Sequence, residues 1–152
     1  MNLDSNPVFL AYVVSAAILG ANLLVLANNT ALSRARHQQV VNPEDTRLNA
    51  AAEVVFEGGN EATARYRRAH RNALENIPLF LITGMLLPLV GTPAPLAISL
   101  YAVFVVARLV HSVTYLLQLQ PWRTASFVIG ALDQLVLLGV IVVQVLRGGG
   151  SA

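Results

Sequence analysis

The sequence predicts an all-α integral membrane protein built as a four-transmembrane-helix bundle. Three observations predict it. The 152 residues are 55% hydrophobic and only 12% charged, about half the charge of an ordinary soluble domain, with a mean hydropathy of +0.60. Four segments come close to the roughly 20 apolar residues a helix needs to cross a bilayer. The basic residues are all arginine, and eight of the 10 lie in the connections on one side of those segments. The length suits a single membrane domain over 1–152.

The first span is expected at 8–27. The stretch before it, "MNLDSNP", has no positive charge, so the run reads as a retained helix rather than a cleaved signal. Asn22 within it reads as an interhelical hydrogen bond. A polar loop follows over 28–67. In "NPED" (42–45), Asn42 suits a helix N-cap and Pro43 the first helical position. Glu44 and Asp45 suit the positive end of the helix dipole. A short helix is therefore expected there, ended by Gly58 and Gly59. A second helix should start at Asn60 or Glu61 and run unbroken through Arg68 into the second span, 72–90.

"GTPAP" (91–95) is a tight turn. The third span, 96–117, is interrupted by Arg108 and His111. After "QLQPW" (118–122), the fourth span, 124–146, is interrupted by Asp133 and Gln134. The terminal "GGGSA" (148–152) is expected to fray. Seven arginines, from Arg34 to Arg71, lie between spans one and two, and Arg123 lies between spans three and four. The positive-inside rule then puts the loop 28–67 and the 118–123 turn in the cytoplasm, with both termini outside. Short termini and the lack of a retention signal favour a bacterial inner membrane, the endoplasmic reticulum being the eukaryotic counterpart.

Composition excludes several functions. There is no cysteine, hence no disulfide framework, thiolate metal site or cysteine nucleophile. A net charge of +2 without a basic, aromatic-laced run does not suit nucleic acid, and no metal site is expected.

The polar residues of the spans converge. Arg68, Arg71, Asn72 and Glu75 are spaced i, i+3, i+4, i+7 and share one helix face. Arg108, His111 and Tyr115 repeat the pattern on span three. At about 1.5 Å per residue, Arg108 lies roughly 18 Å from Leu96, in the same half of the bilayer as Arg34 and Arg123. An ionisable group inside a span costs about 2.5 to 3.5 kcal/mol on insertion scales, so this layer should face the protein interior or a ligand. Its excess is positive, which suits a ligand with several anionic groups and one cationic group. Asp133 is expected as the structural counter-ion of Arg108.

The stretches "RAHRNALENIPLF" (68–80), "NPED" (42–45), "ARLVHSVTYL" (107–116) and "PWRT" (121–124) together resemble the family of membrane-associated proteins in eicosanoid and glutathione metabolism (MAPEG). The likeness covers nearly the whole chain and is greatest to the prostaglandin E synthase branch and its bacterial homologues. It implies a homotrimer in the lipid bilayer, with glutathione at the subunit interfaces. Glutathione carries two carboxylates, one ammonium and a thiol, which matches the layer's charges. By resemblance, Arg34, Arg68, Arg71, Asn72, Glu75, His111 and Tyr115 are glutathione contacts, and Arg123 stabilises the thiolate. Thr124 stands where that branch has a serine assisting the thiol, Phe127 where it has a tyrosine, and Asp45 where it has a catalytic aspartate. The implied activity is that of a glutathione-dependent membrane enzyme, a transferase, peroxidase or isomerase, acting on a lipophilic small-molecule substrate. A non-catalytic lipid-binding scaffold and a small anion transporter are the competing readings.

Overall fold

A computed structural model describes residues 5–56 and 59–149. Four helices carry the architecture: α1 (Pro7–Arg36), α2 (Glu61–Leu89), α3 (Ala94–Leu116) and α4 (Trp122–Gly149). Each is long and apolar enough to cross a membrane. Large apolar side chains lie open along all four, among them Leu24, Ile82, Val106 and Leu135, as a lipid-facing surface requires. Asn6 starts α1 by accepting the Val8 and Phe9 N–H groups at 2.9 and 3.4 Å. The helix runs 30 residues, about 45 Å, well past the expected span end at residue 27. Ala31, Leu32, Arg34, Ala35 and Arg36 in its last turns favour helix without needing an apolar surrounding.

The loop between α1 and α2 departs from expectation. Instead of a helix ending at Gly58 and Gly59, Pro43–Arg47 forms a single 3-10 turn. The chain then turns back at Asn49, whose side chain accepts the Ala51 N–H at 3.1 Å. Two short strands, β1 (Gln39–Val40) and β2 (Glu53–Val54), pair in parallel. Asn42 does not cap; its amide points to Asp45 Oδ2 at 3.4 Å. The segment has no apolar stripe to bury, so capping chemistry alone holds one turn, and β-branched Val40, Val54 and Val55 favour extension. Gly58 lies outside the described residues.

The start of α2 is as the sequence indicates. Asn60 Oδ1 accepts the Thr63 N–H at 3.0 Å, and the helix continues through Arg68 without a break. Gln39 Oε1 holds Asn60 in place, accepting from its backbone and amide nitrogens at 3.2 Å each. Pro88 lies inside α2 and brings no N–H, so the Gly84 carbonyl loses its helical partner. The Tyr101 hydroxyl replaces it, donating to Gly84 O at 2.6 Å. Gln134 of α4 donates to Thr83 Oγ1 at 2.7 Å, and Asn22 of α1 to Ser112 Oγ at 3.1 Å, the interhelical bond expected of it. The core between these contacts is aromatic. Phe80 and Phe104 stack at 4.3 Å, with Tyr101 edge-on to Phe80 at 5.7 Å.

Candidate active site

Three helices bring polar groups to one level. Arg108 of α3 is 2% exposed, and its guanidinium fits because α4 has glycine opposite. A Cβ on Gly130 would come within 2.9 Å of Arg108 Nη2. The ring faces of Phe104 and Phe127 flank the cation at 5.8 and 5.6 Å. Its hydrogen bonds are long. Nη1 donates to Asn72 Oδ1 at 3.5 Å, and Nη2 to the Ser126 and Phe127 carbonyls at 3.5 and 3.4 Å. Arg108 Nε is buried without a partner.

Asp133 does not fulfil its expected role. It is buried on α4, one turn beyond Gly130, yet no ion pair joins it to Arg108 among the described residues. Its Oδ2 has no partner either. Arg108 turns toward the Ser126 end of α4 and the carbonyls there, away from the acid.

His111, one turn on from Arg108, points Nδ1 at the Arg123 carbonyl, 3.0 Å away. A carbonyl can only accept, so Nδ1 carries the proton and Nε2 is the bare acceptor in the neutral ring. That Nε2 is buried and unpartnered. Tyr115 lies edge-on to His111 at 5.6 Å, and the Arg123 guanidinium sits over the Tyr115 ring at 4.9 Å. Thr124 Oγ1 is exposed, 3.1 Å from the Gln120 side-chain amide. Arg68 closes the group from α2. Its Nη2 donates to Glu61 Oε1 at 2.7 Å, and the guanidinium also reaches toward the Tyr115 hydroxyl.

The remaining expected residues lie apart from this group. Arg71 and Glu75 form a loose pair at 3.8 Å, with 75% and 61% of their side chains exposed. They occupy the outer face of α2, whose continuation is the apolar row Pro78, Ile82, Leu86 and Leu89. Arg34 lines a hollow of about 200 Å³ beneath the strand pair, with Thr30, Gln39, Thr63 and Arg67. On its other side a second hollow of about 360 Å³ holds Arg34 and Asp45. The chain thus presents two partial constellations, Arg68, Asn72, Arg108, His111, Tyr115 and Arg123 where α2, α3 and α4 meet, and Arg71 and Glu75 on an outward surface, with Arg34 half-buried beside the strand pair. Sequence reasoning missed Gln120 and Arg67. Arg67 could have been found, since it follows Thr63 by one helical turn; a lone turn glutamine gives no periodic signal.

This arrangement defines an integral membrane four-helix protein with an arginine-rich polar layer at one level. The MAPEG family profile matches residues 9–143. Microsomal glutathione S-transferase 1 of Rattus norvegicus is 37% identical over 131 residues, 84% of each chain. The Homo sapiens protein of that name is 36% identical over 133 residues, 81% of each. Prostaglandin E synthase of Macaca fascicularis is 30% identical over 129 residues, 84% of each. The chain belongs to the MAPEG family.

Proposed function

We propose that this chain is a glutathione-dependent membrane transferase in which Arg123 holds the glutathione sulfur as its thiolate. The observation that carries the reading is the convergence of α2, α3 and α4 on one polar layer in which Arg108 Nε and His111 Nε2 are buried without partners. Unsatisfied buried groups are costly. These two are a donor and an acceptor, which suits a ligand with carboxylates and amide N–H groups. Glutathione supplies the nucleophilic sulfur; the chain supplies the charges around it. Arg68, Arg71 and Arg34 would hold the carboxylates, Glu75 the ammonium, and Asn72, His111 and Tyr115 the peptide groups.

A free thiol ionises near pH 8.5, and two units of lowering require about 2.7 kcal/mol of preference for the charged form. A guanidinium in a partly dry site supplies an interaction of that order. The thiol proton leaves to water, the sulfur bonds to the electrophilic carbon, and the leaving group departs with the bond electrons. Arg123 with Thr124 holds the sulfur, and Asp45 is the outer candidate for a proton-handling role.

The outward position of Arg71 and Glu75 supports a homotrimer, in which each exposed face of α2 meets the inner cluster of a neighbouring chain. The apolar row below Arg71 and Glu75 suits such a contact. The arginine distribution supports a site on the cytoplasmic side of the membrane. Conjugation is favoured over isomerisation because Phe127 brings a ring and no hydroxyl, and because identity to the transferases, 37% and 36%, exceeds the 30% to the synthase.

The test is glutathione turnover in detergent against a chlorodinitrobenzene, a lipid hydroperoxide and a prostaglandin endoperoxide. Conjugation of the first, with a glutathione-induced rise in thermal stability, is expected. No stabilisation and no turnover with any of the three would refute the reading. Native mass spectrometry reports the trimer.

A further inference from the structure

Gln120 sits in the turn between α3 and α4, facing the Arg123 fork. An amide facing guanidinium N–H donors must present its oxygen. Oε1 accepts from Arg123 Nη2 at 2.6 Å and from Nε at 3.2 Å, while Nε2 donates to Thr124 Oγ1 at 3.1 Å. The Tyr115 ring lies against the guanidinium at 4.9 Å. Arg123 is therefore fixed by a neutral acceptor along one edge and by an aromatic face.

The turn does not need this side chain for its own closure. Leu119 N–H reaches Thr114 O at 2.9 Å, and the Arg123 N–H reaches Leu119 O and the Ala125 N–H reaches Pro121 O at 3.0 Å each. The arginines of α2 make a telling contrast. Arg65 and Arg68 share Glu61, and Arg71 has Glu75. Arg123 forms no ion pair among the described residues. Among the described residues, the other charged or titratable groups around it are His111, Tyr115 and Arg108 from α3 and, from α2, Arg68 with its partner Glu61; that carboxylate pairs with Arg65 and Arg68 and not with Arg123. A carboxylate at position 120 would orient the guanidinium equally well, but would compete with any anion for it. An amide orients without cancelling charge.

We propose that Gln120 is a positioning residue for sulfur activation: its amide oxygen aims the Arg123 guanidinium while leaving the whole cationic charge for the ligand sulfur. Its amide nitrogen occupies a Thr124 lone pair, which frees the hydroxyl proton to donate to the same sulfur. The inference rests on the reading that Arg123 stabilises the glutathione thiolate.

The experiment compares Gln120→Glu, Gln120→Met and Arg123→Ala with the parent protein in detergent. It records the ultraviolet absorbance of bound thiolate against pH, the glutathione Kd by calorimetry, and the kcat for chlorodinitrobenzene. Gln120→Glu is expected to raise the ionisation midpoint of the bound thiol by about one unit, which from a midpoint of about 6.5 is about a threefold loss of thiolate at neutral pH, with Kd changed by less than about threefold. Gln120→Met keeps the charge and the length but not the acceptor. It is expected to lower kcat about tenfold, the order of one lost charge-assisted hydrogen bond, with a smaller midpoint shift than Gln120→Glu. If one of the two fails to fold, as its thermal unfolding reveals, the other decides. An unchanged midpoint in Gln120→Glu, or an unchanged kcat in Gln120→Met, alongside lost thiolate in Arg123→Ala, overturns the role of Gln120 and leaves that of Arg123 standing. Retained thiolate in Arg123→Ala overturns the reading beneath both.

Discussion

The Arg123 guanidinium lies over the Tyr115 ring with 4.9 Å between its central carbon and the ring centroid. Two consecutive helices meet in that contact, because His111 on the Tyr115 face of α3 is tied to the Arg123 carbonyl at 3.0 Å. The start of α4 is thereby locked to α3 through both backbone and side chain. Sulfur activation, on the proposed reading, depends on that lock as much as on the charge itself.

Removing the ring should therefore cost activation without removing the cation. A cation–π contact is worth about 0.5 to 2 kcal/mol depending on solvation. Tyr115→Leu is expected to reduce bound thiolate about threefold to tenfold, and Tyr115→Phe to keep most of it. Ultraviolet titration of the bound thiol checks both. Equal losses in the two variants would assign the effect to the hydroxyl instead.

Arg71 and Glu75 separate binding from stability. Their pair is long and exposed, so it should contribute no more than about 0.5 kcal/mol to the fold. Arg71→Ala should leave the unfolding temperature of the ligand-free protein unchanged within error. It should also abolish the stabilisation that glutathione gives, because a lost charge-assisted contact weakens binding by about 1.5 to 3 kcal/mol. Thermal scans with and without glutathione read both quantities. A persistent ligand shift would remove Arg71 from the site.

How much of this was legible in the sequence differs by element. The four helices were, since each apolar run is long enough to need no tertiary context. The common face of Arg68 and Asn72 was legible from helical spacing. The loop was not: Asn42, Pro43 and Glu44 carry the signals of a helix start, but nothing after Arg47 gives the helix a surface to pack on. The Arg108–Asp133 pairing failed for another reason. Spacing gives the level of a residue along a helix, while the direction taken by a long side chain is set by what its neighbours leave open. Here the space is over Gly130, and the acceptors are Asn72 and two carbonyls of α4.

That space makes Gly130 a sensitive position. A methyl there would approach Arg108 Nη2 to 2.9 Å and Cζ to 3.3 Å. The guanidinium has Phe104 and Phe127 beside it, so it must slide along its own axis and lengthen bonds already at 3.4 to 3.5 Å. Gly130→Ala is expected to destabilise the protein by about 1 kcal/mol, the low end for overpacking, and to lower glutathione affinity severalfold. Gly130→Val should do more of both. Calorimetric binding and thermal unfolding provide the check; full affinity in Gly130→Val would separate Arg108 from the ligand.

The Tyr101 hydroxyl and the Gly84 carbonyl offer a cleaner test of what holds the bundle together. Inside a bilayer no water can satisfy the carbonyl that Pro88 leaves open, and Tyr101 does so at 2.6 Å. Measured interhelical bonds in membranes are worth about 0.6 kcal/mol on average and reach about 1.7; an otherwise orphaned carbonyl belongs at the upper end. Tyr101→Phe should destabilise by that amount, read as earlier unfolding in a detergent titration. Pro88→Ala restores an N–H at the position that can close the helical bond to Gly84 O. In the Pro88→Ala background the cost of Tyr101→Phe should therefore fall by at least half, giving a coupling between two residues that act on one oxygen. Equal costs in the two backgrounds would mean that the hydroxyl stabilises α3 against α2 by packing alone, and that the carbonyl finds another donor.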